Sequence, residues 1–284
     1  MKYIHIAALL LLTYTTVSGQ SGWVREKGGL FVQTSLTTFT SSDYYSVTGE
    51  LFDSGNEFQS QALVLYGEYG ITDRITGILN APIYKSNRFF NTNRVGGAGD
   101  IRLGFKYAIS KQLPISLGVE AEIPTGDGTN LATAKEDNGL GFRDQINLPV
   151  SDGEFNVWTT LAVSQSLPSG NTYGSLYGQY NLRTQGFTDQ YRLGVELGQK
   201  FIDRLWLIGR LGIQESVSDD VRTDVSFLYG EGTTYTTYGF TSMYNINDQW
   251  MITASFSDYA GFISKRKNIY DGATWSLGVA FEIK

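Results

Sequence analysis

Along most of this chain apolar side chains alternate with small or polar ones, in about a dozen segments, each roughly the length of a membrane-crossing strand. Successive β-strand side chains point to opposite faces, so such segments have one apolar and one polar surface. Water is absent from hydrocarbon, and every backbone N–H and C=O crossing it must find a partner within the protein. A chain of this pattern is therefore expected to be all-β, a closed antiparallel transmembrane β-barrel of about 12 strands.

Alternation and turn signals place strands at 29–40, 58–70, 75–85, 98–109, 113–124, 154–167, 172–183, 189–200, 204–215, 236–246, 249–260 and 272–283. Short connections occur at Thr72-Asp73-Arg74, Ser110-Lys111-Gln112, Pro168-Ser169-Gly170, Ile202-Asp203 and Asn247-Asp248. Between them lie longer ones at 41–57, 86–97, 125–153, 184–188, 216–235 and 261–271. Alternation of short and long connections matches periplasmic turns and extracellular loops. It also brings both ends of the barrel to the same side of the membrane.

Charge fixes which face meets lipid. In 98–109, Ile101, Leu103, Phe105, Tyr107 and Ile109 share one face, while Asp100, Arg102 and Lys106 share the other. In 113–124, Glu120 and Glu122 lie opposite Leu117, Val119 and Ile123. Arg192 and Glu196 lie opposite Leu193, Val195 and Leu197, and Arg210 opposite Leu207 and Leu211. A basic side chain at the bilayer midplane costs about 2–4 kcal/mol, so the charged face is expected to line the lumen. The segment 75–85 is less regular, with adjacent Ile78 and Leu79 and with Pro82, which suits a bulge or a rim.

Residues 1–19 have the parts of a secretory signal: Lys2, an apolar core through Leu12, and small residues ending at Gly19. The apolar run is shorter than the roughly 20 residues of a bilayer helix. Cleavage before Gln20 is expected, leaving 20–284 as a single barrel domain in the outer membrane of a Gram-negative bacterium. Its expected surroundings are outer-membrane lipid and the barrel-insertion machinery.

Composition excludes several functions. Cysteine is absent, and the only histidine, His5, falls in the signal. A mature chain without either has no thiol nucleophile, no imidazole base and no usual zinc ligand set, so neither enzyme activity nor a cofactor is expected. A net charge of −6 provides no footprint for nucleic acid. The oxygen-rich stretch from Thr125 to Asn138 lacks the ordered spacing of a calcium loop and reads as solvated.

The expected lumen residues are Glu68, Asp100, Arg102, Lys106, Glu120, Glu122, Arg183, Arg192, Glu196 and Arg210. They admit two readings: a constriction that sets the field felt by a solute, or ion pairs that brace a filled interior. Phe89, Phe90, Phe142, Phe155, Trp158, Tyr229, Tyr235, Phe262 and Tyr270 in or near the connections suit either an aromatic girdle or an apolar mouth.

Two hairpin motifs add a resemblance. Gly97-Ala98-Gly99-Asp100-Ile101-Arg102-Leu103-Gly104-Phe105-Lys106-Tyr107 and Glu120-Ala121-Glu122-Ile123-Pro124-Thr125-Gly126-Asp127 resemble the outer-membrane family associated with the meta-cleavage pathway of phenol degradation. Trp158 to Leu167 is similar to that family's following strand. The resemblance implies an outer-membrane barrel that moves small hydrophobic or aromatic molecules, with Asp100 and Asp127 as pattern residues of no assigned chemistry. Related long-chain fatty-acid transporters carry an amino-terminal plug. The residues between Gln20 and Gly28-Gly29 are expected to be too few for a substantial one. The leading expectation is thus a channel or facilitated transporter for a small-molecule solute, and the competing one is a non-conducting structural or adhesive barrel whose loops bind a partner.

Overall fold

A computed structural model describes residues 20–126, 128–184, 186–218 and 232–284. Sixteen strands are present among them. Twelve form the wall: β1 (Leu30–Tyr45), β2 (Leu51–Thr72), β3 (Ile75–Phe89), β5 (Ile101–Ser110), β6 (Ile115–Ile123), β9 (Asn156–Ser166), β10 (Thr172–Arg183), β11 (Gln190–Phe201), β12 (Leu205–Ser216), β13 (Tyr235–Asn245), β14 (Trp250–Ala260) and β16 (Thr274–Ile283). Four short strands belong to the loops: β4 (Val95–Gly97), β7 (Leu131–Thr133), β8 (Gln145–Asn147) and β15 (Ile269–Asp271).

Every wall strand pairs antiparallel with its neighbours, and β1 closes the ring by pairing with both β2 and β16. Leu30 stands opposite Tyr69 on one side and Ile283 on the other. Closure leaves no edge to be satisfied by water, as a membrane wall requires.

The two faces of the wall separate as the alternation dictates. Leu36, Leu103, Phe105, Leu161, Leu193, Leu197 and Leu277 point outward, each exposed over half or more of its surface. Glu68, Arg102, Lys106, Glu120 and Arg183 point inward and are buried. No helix of the described residues is long and apolar enough to cross a membrane.

Two local departures from the sequence reading have physical causes. The connection at 41–57 is mostly strand. After a bulge at Ser41–Asp43, Tyr44 pairs with Phe52 and Tyr45 with Leu51, so β1 and β2 rise beyond the neighbouring strands as an alternating hairpin that Thr/Ser-rich composition concealed. The strand expected from residue 98 starts at Ile101. Gly99 N–H instead donates to Pro82 O at 2.8 Å, and β3 pairs with β4 above that point. Pro82 sits where the β2–β3 register slips, a bulge that tolerates its missing N–H.

The largest departure lies inside. Residues 20–29 were expected to form no substantial plug, yet they run into the lumen from the side of the short turns. Gly22 N–H donates to Ser164 Oγ at 2.8 Å, Ser21 O accepts from Ser116 Oγ at 2.8 Å, and Gln20 donates to Gln179 Oε1 at 2.7 Å. The strap fits because glycine opens its path. A Cβ on Gly70 would lie 1.8 Å from Glu26 O, and one on Gly22 would lie 2.0 Å from Pro114 O. A short segment suffices because the lumen of a twelve-stranded wall is narrow and bulky wall residues meet the strap halfway.

Candidate functional site

The lumen is layered. On the turn side Trp23 of the strap packs edge-on against Tyr173 (5.6 Å), which contacts Trp206 (5.8 Å). Phe31, Tyr66, Ile78, Ile208, Met243, Met251 and Ala280 complete this apolar layer. Into the same layer the strap carries Arg25, whose Nε meets Glu68 Oε2 at 3.1 Å and whose Nη1 meets Glu282 Oε1 at 2.7 Å. Lys106 Nζ reaches Glu68 Oε1 at 3.2 Å, and Tyr66 donates its O–H to the same oxygen at 2.7 Å. Two cations and two carboxylates thus form a buried network that joins β2, β5 and β16 through the strap. Below it a 130 Å³ recess opens among Trp206, Met243, Met251 and Glu282.

Beside the strap a second network spans β10, β11, β12 and β13. Arg210 pairs with Glu196 at 2.5 Å and donates to Thr241 Oγ1 at 2.7 Å; Tyr173 donates to Glu196 at 2.6 Å. Above this level lies a cavity of about 510 Å³. Phe39, Phe58, Trp158, Tyr235, Tyr259 and Tyr270 contribute rings to its wall, and Lys85, Arg183, Arg192, Glu122 and Asp152 contribute charge. That volume is typical of small-molecule pockets, and the lining mixes these rings with many polar side chains, among them Asn87, Asn156, Asn181, Gln190 and Asn268.

Loops roof the cavity. Phe58, Phe89, Ala132, Leu148 and Tyr270 form a second apolar cluster, with Phe58 stacked on Tyr270 at 5.0 Å. The segment before β9 is anchored by Arg183, which contacts Glu154 at 2.7 Å and Asp152 at 3.2 Å. Asp100, just outside β5, accepts from Ser151 Oγ and, at 3.3 Å, from Asp152 N–H.

Ten residues were expected in the lumen, and the structure divides them among these levels. Glu68 and Lys106 meet in the lower network, Glu196 and Arg210 in the middle one, and Asp100 and Arg183 under the roof. Arg102 and Glu122 are cross-strand partners but make no ion pair. Arg102 lies over the Trp158 ring at 5.0 Å, and Glu122 accepts the Trp158 indole N–H. Glu120 is buried with Oε2 unpartnered among the described residues. Arg192 covers Trp158 at 4.2 Å and donates from Nε to Gln214 Oε1 at 2.6 Å. Arg25, Glu282, Asp152 and Glu154 stand outside that set of ten, yet they take part in four of the seven ion pairs among the described residues. Glu282 is on the inward face of the last strand and Glu154 opens the strand expected at 154–167; Arg25 and Asp152 lie in segments without periodicity.

Of the aromatic residues in the connections, Trp158, Tyr235 and Tyr270 line the cavity and Phe89 joins the roof cluster, whereas Phe90, Phe142, Phe155 and Phe262 are exposed. Tyr229 and Asp127 lie outside the described residues. In the oxygen-rich loop, Asp137 Oδ1 accepts from Gly139 N–H at 2.7 Å and Gly141 N–H at 3.1 Å, so this oxygen serves the turn.

The roof contact has a pH sign. Burial, reinforced by the nearby Asp152 and Glu122 carboxylates, pushes the Asp100 carboxyl up to about 6 against the hydrogen bonds it accepts. Burial moves Asp152 in the same direction. A carboxyl that holds its proton more tightly in the packed loop than in water favours the packed loop as pH falls. Lowering the pH from about 7 to about 5 should therefore slow opening of this loop severalfold. Amide exchange at Asp152, corrected for its intrinsic pH dependence, reads this directly; faster opening in acid refutes it.

The closed ring, its apolar outer belt and its charged interior decide the class. This chain is a closed twelve-stranded β-barrel of the membrane-spanning kind. Its fold is similar to that of an outer membrane channel from Pseudomonas putida F1, at 15% sequence identity and a TM-score of 0.60, covering 94% of this chain and all of that one. The translocator domain of the autotransporter NalP from Neisseria meningitidis is similar over 91% of this chain and 90% of its own, at 12% identity and a TM-score of 0.53. The β-domain of a Bordetella autotransporter, BrkA, gives the same identity and TM-score over 91% of this chain and all of its own. At these identities the likeness is one of fold. No protein-family model and no curated protein matches the chain by sequence.

Proposed function

We propose that this barrel is an outer-membrane channel or facilitated transporter for small molecules with aromatic or hydrophobic bodies. In this reading it acts without covalent chemistry, after residues 1–19 are removed and the barrel-insertion machinery has placed the wall. One observation carries the reading: a 510 Å³ cavity with six aromatic rings in its wall lies inside a membrane-spanning ring. A barrel that only braces the membrane has no need of a chamber with six rings in its wall at the long-loop end of its lumen. The resemblance of the two hairpin motifs to the phenol-pathway family supports an aromatic solute.

The competing reading, a non-conducting barrel with working loops, draws support from the strap and the apolar layer across the lower lumen. Planar-bilayer recording on refolded protein separates the two. A transporter of this construction should give small, discrete conductance steps and should admit aromatic solutes in liposome uptake faster than sugars of equal mass. Silence of both the intact chain and a strap-deleted chain, with the barrel shown to be folded, establishes the structural reading instead.

A further inference from the structure

The lumen contains several arginines, and their partners divide them. Arg25, Arg183 and Arg210 each contact a carboxylate within 3.2 Å. Arg192 contacts none among the described residues. Its guanidinium is held in place by Trp158 beneath it and by Gln214 at Nε, and neither Nη1 nor Nη2 donates to a described protein group. Gln214 is itself fixed: its Oε1 also accepts from Tyr235 O–H at 3.1 Å, and its Nε2 donates to Thr233 O at 3.1 Å. The cationic fork is therefore oriented by its surroundings while its two terminal nitrogens remain unused.

Arg192 is among the residues that line the cavity. The carboxylates that share the wall are engaged elsewhere: Asp152 by Arg183 and Asn156, and Glu122 by the Trp158 indole. Lys85, the other cation of the cavity lining without a carboxylate at contact distance, is on β3, separated from β11 by four strands of the wall. Beside Arg192 the lining is aromatic, with Tyr235 and Tyr259 edge-to-face at 4.8 Å.

Building on the reading of this cavity as the solute site, we propose that its ligand is a small aromatic carboxylate and that Arg192 is the residue that recognises the anion. Two adjacent Nη groups match the two oxygens of a planar carboxylate end-on, a geometry lysine cannot reproduce. Removal from bulk water strengthens the charge-assisted bonds, and the neighbouring rings receive the body of the ligand. A neutral hydrocarbon would leave the fork unanswered.

Calorimetry on the refolded full-length mature barrel in detergent tests this with benzoate, benzamide and acetate as probes. Benzoate should bind at least tenfold more tightly than either benzamide, which lacks the charge, or acetate, which lacks the ring. Arg192→Gln should abolish the preference for benzoate over benzamide, and Arg192→Lys should retain only part of it. Heat-modifiable migration confirms that each variant is folded. If Arg192→Gln fails to fold, the probe ranking on the native barrel and on Arg192→Lys still decides. Equal binding of benzoate and benzamide, no binding of benzoate, or unchanged benzoate affinity in a folded Arg192→Gln barrel overturns the proposal. Binding without conductance would refute the transport reading alone, and conductance without benzoate preference would refute this one alone.

Discussion

Deletion of residues 20–26 is expected to raise single-channel conductance severalfold while leaving the wall closed. The strap that includes Trp23 and Arg25 fills the lower lumen, and the ring of strands begins only at Leu30, where β1 already pairs with Ile283 and Tyr69. The milder Arg25→Ala should act chiefly on stability. Lys106 still answers Glu68, but Glu282 has no other cation within contact distance among the described residues. Breaking one side of a buried ion pair costs roughly 3–5 kcal/mol because the remaining charge is left in a poorly solvated place. Bilayer recording of the deletion and denaturant titration of Arg25→Ala measure the two effects. Unchanged conductance in the deletion would mean that the roof, not the strap, limits passage.

The second large effect belongs to the outer face. Leu161 is the central residue of β9 and points to lipid, and Leu161→Arg should destabilise the barrel by about 2–4 kcal/mol, the cost of a cation at the membrane midplane. Leu161→Ala should cost distinctly less, since lipid replaces the lost contact and no cavity forms in a packed core. Reversible unfolding in lipid vesicles gives both values. If arginine and alanine cost the same, the middle of β9 does not face hydrocarbon, and the assignment of the two faces is wrong.

The wall was legible because its physics is local and periodic. Leu103 and Arg102 alternate for the same reason that one sees lipid and the other the lumen, and a hairpin such as β11–β12 needs only two alternating runs and the short turn at Ile202-Asp203. The inside was less legible. The mixed signs admitted a ladder of ion pairs, but although Arg102 and Glu122 face each other in the register, the large ring of Trp158 takes the guanidinium on its face and the carboxylate at its N–H. The strap escaped notice for a different reason. Ser21 to Lys27 has no period to read, and its place is fixed by contacts such as Arg25 to Glu282, which only the closed ring creates. The cavity combines β9, β11, β13, β14 and loop residues, a grouping set by barrel circumference and not by neighbourhood along the chain.

The link between Arg25 and Glu282 also bears on the order of events. Its two halves come from opposite ends of the polypeptide, and it lies within a circle sealed by β1 and β16. Seating the strap before that circle closes would spare Trp23 a passage past Met243 and Met251, which share its apolar layer. A wall that closed without its inner thread would leave the Glu282 carboxylate stranded and the lower lumen unfilled.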